Sequence, residues 1–168
     1  MSALYSDARV WRRLKSGATV EWPSETQAGQ GNGGVAQLVK STAGAIGYVD
    51  LPDAKASQLH YANVKNASGA YVEPTTKTAQ AAGDGVETKD DLTFSTVNSK
   101  GDDAYPITAP TWCMAYTKPH DAAKAAAIKS YFKFMVTDAQ KLAPTIDFAP
   151  LPAALQSKAI AQVEKIAG

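Results

Sequence analysis

Cysteine is almost missing from this chain. Cys113 stands alone among 168 residues, so no disulfide can form within it. That composition suits a reducing compartment, and equally an exported protein that is stable without covalent staples. Histidine is nearly as scarce. His60 and His120, taken with Cys113, offer none of the ligand spacing that a metal centre needs. No run approaches the ~20 apolar residues of a membrane-spanning helix, and the opening Met1–Arg9 lacks the apolar stretch of an export signal. Neither sign of charge dominates: 17 Lys and Arg face 16 Asp and Glu, for a net +1. A nucleic-acid partner, which wants clustered basic residues, is therefore not expected. There is no Gly-x-Ser-x-Gly elbow and no Ser/His/Asp set at a telling spacing. No catalytic residue, metal or cofactor is assigned.

What is present is ordinary globular material. Apolar residues make up 45% and charged residues 20%, enough to bury a core in one domain or two small lobes. Cys113 lies in the apolar run Trp112-Cys113-Met114-Ala115-Tyr116 and reads as a buried, inert thiol. Asp90-Asp91 and Asp102-Asp103 read as solvated loop pairs. The aromatics, with no basic groove beside them, read as core or lobe-surface packing rather than base-stacking platforms.

The pattern alternates helices with short strands, which argues for a layered α/β architecture. A helix is expected over 6–15 and a strand over 18–22. Another helix should present Val35, Leu38, Val39 and Thr42 to a core before Gly44 breaks it. Ala45–Val49 (AIGYV) has no polar alternation and reads as an interior strand. Pro52 opens a short helix over 51–58. Strands are expected over 59–64 and 70–73 around an Asn/Gly turn, then a helix over 76–82 ended by Gly83. Residues 83–104 read as loop with one strand near 92–96, and 111–117 as an apolar strand. A long helix over 121–143 is capped by Asp121, and its stripe of Ile128, Phe132, Met135, Ala139 and Leu142 is expected to face a core. The last helix, over 153–167, carries Leu155, Ala159, Val163 and Ile166 in register.

The segment Gly29-Gln30-Gly31-Asn32-Gly33-Gly34 admits two readings. A glycine-rich turn ahead of a helix can bind an anion, because the first helical turn leaves N–H groups unpaired at the positive end of the helix dipole. It can also be nothing more than the turn that starts the helix. No Gly-Lys-Ser/Thr follows, so it is not a P-loop, and it lacks the dinucleotide spacing. Gly31, Asn32 and Gly33 are the candidate anion contacts.

Here a family resemblance enters. Gly29–Ala36 looks like the G-K-G-N-x-G-V-A segment of the phosphate-specific ABC-transporter substrate-binding proteins. Gly44–Val49, Asn63–Asn66 with Gly69 and Pro74-Thr75, Ala104–Thr108, Tyr131–Phe134, Ala143-Pro144 and the Ala149-Pro150-Leu151-Pro152 before the last helix follow in the family's order, and Trp22-Pro23 matches its W-P. Gln30 stands where lysine is usual, which removes a cation beside the loop.

The resemblance implies a periplasmic-binding-protein-like (type II) α/β fold, three-layer αβα, in an incomplete two-lobed architecture. Family members are about twice this length, and the R-x-D-G-S-G-T-type segment that grips phosphate in them does not occur here. It implies that 5–104 is part of the second, ligand-closing lobe. Tyr105, Pro106, Ile107 and Thr108, within 105–110, form the hinge crossing, and 111–168 holds the return strand and C-terminal helices of the first lobe. It also implies that the glycine turn is a structural helix start near the cleft rather than a primary ligand.

The expected function is that of a non-enzymatic phosphate receptor, or a truncated homologue binding phosphate weakly or not at all alone. The implied partners are inorganic phosphate, a membrane ABC permease, and either a second copy or a separate N-terminal half. The implied location is periplasmic or cell-envelope, with the cytoplasm left open by the missing leader pattern. The alternative is an interaction or oligomerisation protein that kept the scaffold and lost the ligand.

Overall fold

The structure is a computed structural model that describes residues 20, 22–24, 26–119 and 121–167. The helix expected over 6–15 and most of the strand expected over 18–22 lie outside the described residues. Two helices come first, α1 (Gly31–Ser41) and α2 (Leu51–Ala56). A hairpin follows, β1 (Val64–Lys65) antiparallel to β2 (Tyr71–Val72), with Val64 opposite Val72 and Lys65 opposite Tyr71. Then come α3 (Thr76–Gly83), a long irregular passage, α4 (Ala122–Val136), α5 (Ala139–Leu142), a 3₁₀ turn (Ala143–Ile146) and α6 (Ala153–Val163).

Local chemistry explains most helix ends. Pro52 occupies the first turn of α2, where its missing N–H costs nothing. Thr75 and Thr78 form a reciprocal capping box at α3: the Thr75 hydroxyl accepts from the Thr78 amide at 3.1 Å, and the Thr75 amide donates to the Thr78 hydroxyl at 2.9 Å. Asp121 caps α4 by accepting from the Lys124 amide at 3.1 Å. The helix expected to run over 121–143 ends earlier. The backbone leaves the helical region at Thr137 (φ −120°, ψ −89°), and Thr137 bonds its hydroxyl back to the Lys133 carbonyl at 2.7 Å. A β-branched residue with a hydroxyl that competes for backbone carbonyls is a natural place for a helix to stop.

The core is thin. Among the described residues, six of the ten buried apolar side chains are alanines: Ala36, Ala54, Ala82, Ala104, Ala125 and Ala159. Larger buried side chains come mainly from the stripe read on the last helix. Leu155 and Val163 of α6, with Ile166 just beyond it, are buried as expected. Burying such a side chain fully is worth roughly 2 kcal/mol. α4 packs along α6, with Lys129 and Lys133 of α4 both paired to Glu164 at 3.2 and 3.1 Å.

The α4 stripe is not core-facing. Of its five residues Ile128, Met135 and Leu142 are exposed, and Phe132 and Ala139 are half-buried. Cys113, expected buried, is exposed too. The strands expected over 45–49 and 111–117 have no regular secondary structure and pair with nothing among the described residues, whose one sheet has two strands. A strand is completed by a neighbour elsewhere in the chain, and periodicity cannot say whether that neighbour exists.

One buried side chain holds the centre together. The Asn66 amide nitrogen donates to three carbonyls, those of Gly101, Asp102 and Ala104, at 3.1, 2.8 and 3.3 Å. Two protons serve three acceptors, so one bond is shared. Its carbonyl oxygen accepts from the Ser68 amide, the Ser68 hydroxyl and the Ala70 amide at 3.1, 2.8 and 3.0 Å. Asn66 thus builds the hairpin turn on one side and clasps the 101–104 loop on the other.

Two predictions follow from these contacts. Asn66→Ala should cost about 3 kcal/mol in urea unfolding, because buried carbonyls lose their donor; an unchanged midpoint would show that the clasp contributes nothing. The second concerns Glu164, whose carboxyl is held below the ordinary glutamate range by hydrogen bonds from Lys133 and Lys129. A depressed carboxyl contributes stability above its unfolded-state pKa and loses it as pH falls through the folded value. The thermal midpoint of Glu164→Gln should therefore fall below that of the parent at neutral pH, and the two should converge in acid as the pH falls through the depressed value of the parent carboxyl and protonates it.

Candidate functional site

The glycine turn is built by backbone lying on backbone. A methyl group placed on Gly29 would sit 2.4 Å from both the Gly34 carbonyl carbon and the Val35 nitrogen. Only glycine fits there. α1 then starts at Gly31, so Gly31, Asn32 and Gly33 are its first helical residues rather than a turn before it. Gln30 is the N-cap, and no side chain caps this end. Side chains on Gly31 or Gly33 would meet nothing within 4 Å, so the backbone there is open to solvent.

The Asn32 side chain is committed elsewhere. Its amide nitrogen donates to the Asp50 carboxylate at 2.9 Å. Asp50 is the N-cap position of α2, so this bond ties the starts of two helices together and brings a carboxylate beside the positive end of α1. An approaching anion would meet unpaired backbone amides, no cation at position 30, and one negative neighbour. Such a turn can offer hydrogen bonds to an anion, without charge pairing.

The 105–108 segment is organised by other elements. The Tyr105 amide donates to the Thr78 carbonyl of α3 at 3.0 Å, and the Pro106 carbonyl accepts from the Asn98 amide at 2.8 Å. Pro106 is fully buried. Thr96 and Thr108 exchange hydroxyl-to-carbonyl bonds, Thr96 to Thr108 at 2.9 Å and Thr108 to Thr96 at 3.2 Å. Ile107 is exposed. These residues therefore run antiparallel to 96–98, joined by one backbone bond and two side-chain bonds.

Beyond this segment the C-terminal helices touch the first part of the chain at a few points. A Cβ on Gly83 would come within 3.1 Å of Pro152. Lys158 donates to the Thr88 carbonyl at 3.3 Å, and Gln162 to the Asp90 carbonyl. Lys55 of α2 pairs with Asp147, a residue in the left-handed region at φ 61°. That hydrogen bond raises the Lys55 pKa above the ordinary lysine range. Asp91 sits in an exposed loop, lowered from the usual carboxylate range by bonds from the Thr93 hydroxyl and amide.

Sequence reasoning placed Asn66 only in a turn and a family motif, and did not single out Lys55 or Asp147. The Asn-x-Ser-Gly turn hinted at an asparagine bonding its own backbone, but its grip on a loop 35 residues away has no local signature. Among the described residues no three His, Cys, Asp or Glu side chains gather as a metal set, and no helix is long and apolar enough to cross a membrane.

Residues 6–139 match the family profile of a PBP superfamily domain. The chain is 33% identical over 145 residues to a protein of Xylella fastidiosa (strain Temecula1) named phosphate-binding protein PstS, covering 84% of this chain and 40% of that one. It is 34% identical over 152 residues to a protein of the same name from Methanocaldococcus jannaschii, covering 80% of this chain and 39% of that protein. A third of that name, from Pasteurella multocida, is 29% identical over 155 residues, with 90% and 45% covered. The chain thus spans less than half the length of the curated relatives it matches.

Gly29→Ala tests the glycine turn. The added methyl must push backbone rather than a flexible side chain, so a loss of about 2 kcal/mol is expected in chemical unfolding. A stable Gly29→Ala protein would mean that the turn tolerates a different path.

Proposed function

The chain belongs to the PBP superfamily, and on that premise we propose that it is part of a phosphate receptor: a non-enzymatic substrate-binding protein that delivers inorganic phosphate to a membrane ABC permease. The observation that carries this reading is the match, over four fifths of this chain or more, to proteins named for phosphate binding. The periplasm or cell envelope is the compartment that such a role requires.

On this reading the full architecture is a two-lobed, three-layer αβα receptor of type II. Residues 5–104 belong to the second lobe, 105–110 to the hinge crossing, and 111–168 to the first lobe. The way 105–108 is held supports a hinge role. It is fixed at Tyr105 and Pro106 by backbone bonds and at Thr108 by a hydroxyl, with no regular ladder to stiffen it.

An anion held in a closed cleft needs many charge-assisted donors converging on it. The turn at Gly31, Asn32 and Gly33 offers backbone amides only, so its role is to line the cleft and not to supply the principal grip. The chain by itself then binds phosphate weakly or not at all. The anion-gripping groups would come from a complementary polypeptide, whether a second copy or an N-terminal portion. The apolar side chains left exposed at Ile46, Tyr48, Met114 and Tyr116 also favour a second reading, an assembly protein on the same scaffold without a ligand.

Calorimetric titration of this chain with inorganic phosphate should give no saturable heat below roughly millimolar concentration. Micromolar binding by the chain alone would overturn the statement that its gripping groups lie elsewhere.

A further inference from the structure

Four asparagines occur in the chain, and one of them, Asn32, is followed by a glycine. An asparagine side chain carries a latent acylating group. The amide nitrogen of the next residue can attack its Cγ, provided that the nitrogen is unbonded and no Cβ stands in the way. Gly33 has no Cβ.

The structure supplies the other conditions. Gly33 is the third residue of α1, and its amide donates to no described residue. The first bond at this helix end runs from the Gly34 amide to the Gln30 carbonyl at 3.2 Å. A Cβ on Gly33 would meet nothing within 4 Å, so water reaches the backbone there. Attack requires the first turn to open, and this turn is weakly held. Gly31, Gly33 and Gly34 are poor helix formers, Gly31 sits at φ 63°, and no side chain caps the end. The other asparagines are shielded. Asn63 precedes the β-branched Val64, and Asn98 precedes Ser99, which has a Cβ. Asn66 is buried, with its amide nitrogen bonded to three carbonyls.

We propose that Asn32-Gly33 is a self-modifying site, where Asn32 is converted with solvent water to aspartate and isoaspartate, reversing its interaction with Asp50. The Gly33 nitrogen bonds to Asn32 Cγ, the Cγ–Nδ2 bond breaks, and the proton displaced from Gly33 leaves with Nδ2 as ammonia. Water then opens the cyclic imide. Cleavage at Cγ gives aspartate. Cleavage at the main-chain carbonyl gives isoaspartate, whose backbone is longer by one methylene. Neither step oxidises or reduces an atom.

The consequence is electrostatic. The Asn32 amide nitrogen donates to the Asp50 carboxylate at 2.9 Å and ties the start of α1 to that of α2. A carboxylate at position 32 has no proton to give, so attraction becomes like-charge repulsion. It also adds a negative charge at the glycine turn, which then disfavours an anion there. The longer isoaspartate backbone shifts Gly34 against Gly29, whose contact already leaves no room for a methyl group.

The test holds the full chain for several weeks in mildly alkaline heavy-oxygen water and follows each asparagine by peptide mapping. Asn32 should convert at least about tenfold faster than Asn63, Asn66 or Asn98, with isoaspartate among its products. Gly33→Ala places its Cβ in open space and favours the helix, and it should slow conversion of Asn32 at least about tenfold. Thermal unfolding at neutral pH reads the reversal. Asn32→Asp should lower the midpoint by about 2–4 °C. The exchanged pair Asn32→Asp/Asp50→Asn should recover it, because the bond is then made in the other direction.

An Asn32 that stays intact in the folded chain while converting in urea overturns the inference, because the helix then protects it. Equal rates in the parent and Gly33→Ala overturn it too, since the missing Cβ then does not govern the attack. A midpoint unchanged by Asn32→Asp, or lowered as much in the exchanged pair, removes the reversal at Asp50.

Discussion

The structure depends on a single buried amide. Asn66 spans two elements that share no ladder and little apolar surface, and it satisfies five backbone groups and a hydroxyl at once. An apolar residue of the same size could fill the space but would take from the Asp102 and Ala104 carbonyls the donor that Asn66 supplies, while the Gly101 carbonyl would keep the Ala104 amide. In a chain whose buried residues are mostly alanine, hydrophobic area alone is a weak guide to where a loop belongs. Directional bonds to Asn66 supply the missing specificity, and the 105–108 segment follows directly on the loop they hold.

That dependence explains what the sequence revealed and what it hid. The Asp121-capped start of α4 and the proline in the first turn of α2 were legible because each signal lies within four residues of the feature it sets. The buried stripe of Leu155, Ala159, Val163 and Ile166 was legible because α6 has a neighbour to pack on. The stripe read over 121–143 is only partly covered: α4 packs on α6, Phe132 and Ala139 are half-buried, and Ile128, Met135 and Leu142 are exposed. Periodicity reports what a helix could bury, and the neighbours available on each face decide how much of it is covered. The apolar strands over 45–49 and 111–117 failed as sheet members for the same reason. For the site, the glycine turn was visible as a motif, but its cause, backbone contact between Gly29 and Gly34, requires coordinates. Lys55 and Asp147 are 92 residues apart and left no trace in the local pattern.

Family membership came through more clearly than any one element. Several short motifs in fixed order are hard to reproduce by chance, whereas each alone is weak. The order of motifs constrains the fold from outside the chain's own energetics. That is why the resemblance pointed to a layered α/β architecture even though most of the strands it calls for find no partner among the described residues. Ala45–Val49 shows how such a segment sits. One side presses on α1, where a Cβ on Gly47 would come within 2.8 Å of Val39, and the other side presents Ile46 at 96% and Tyr48 at 68% exposure.

The paired threonines at 96 and 108 carry one more consequence. Two strands joined by amide ladders part only when every rung breaks together, in a cooperative and costly step. Two hydroxyls can swap their carbonyl partners for water one at a time, by turning a single torsion each. A seam of that kind behaves like a press-stud rather than a weld. It keeps its register when shut, opens by small independent steps, and closes again without having to rediscover its alignment.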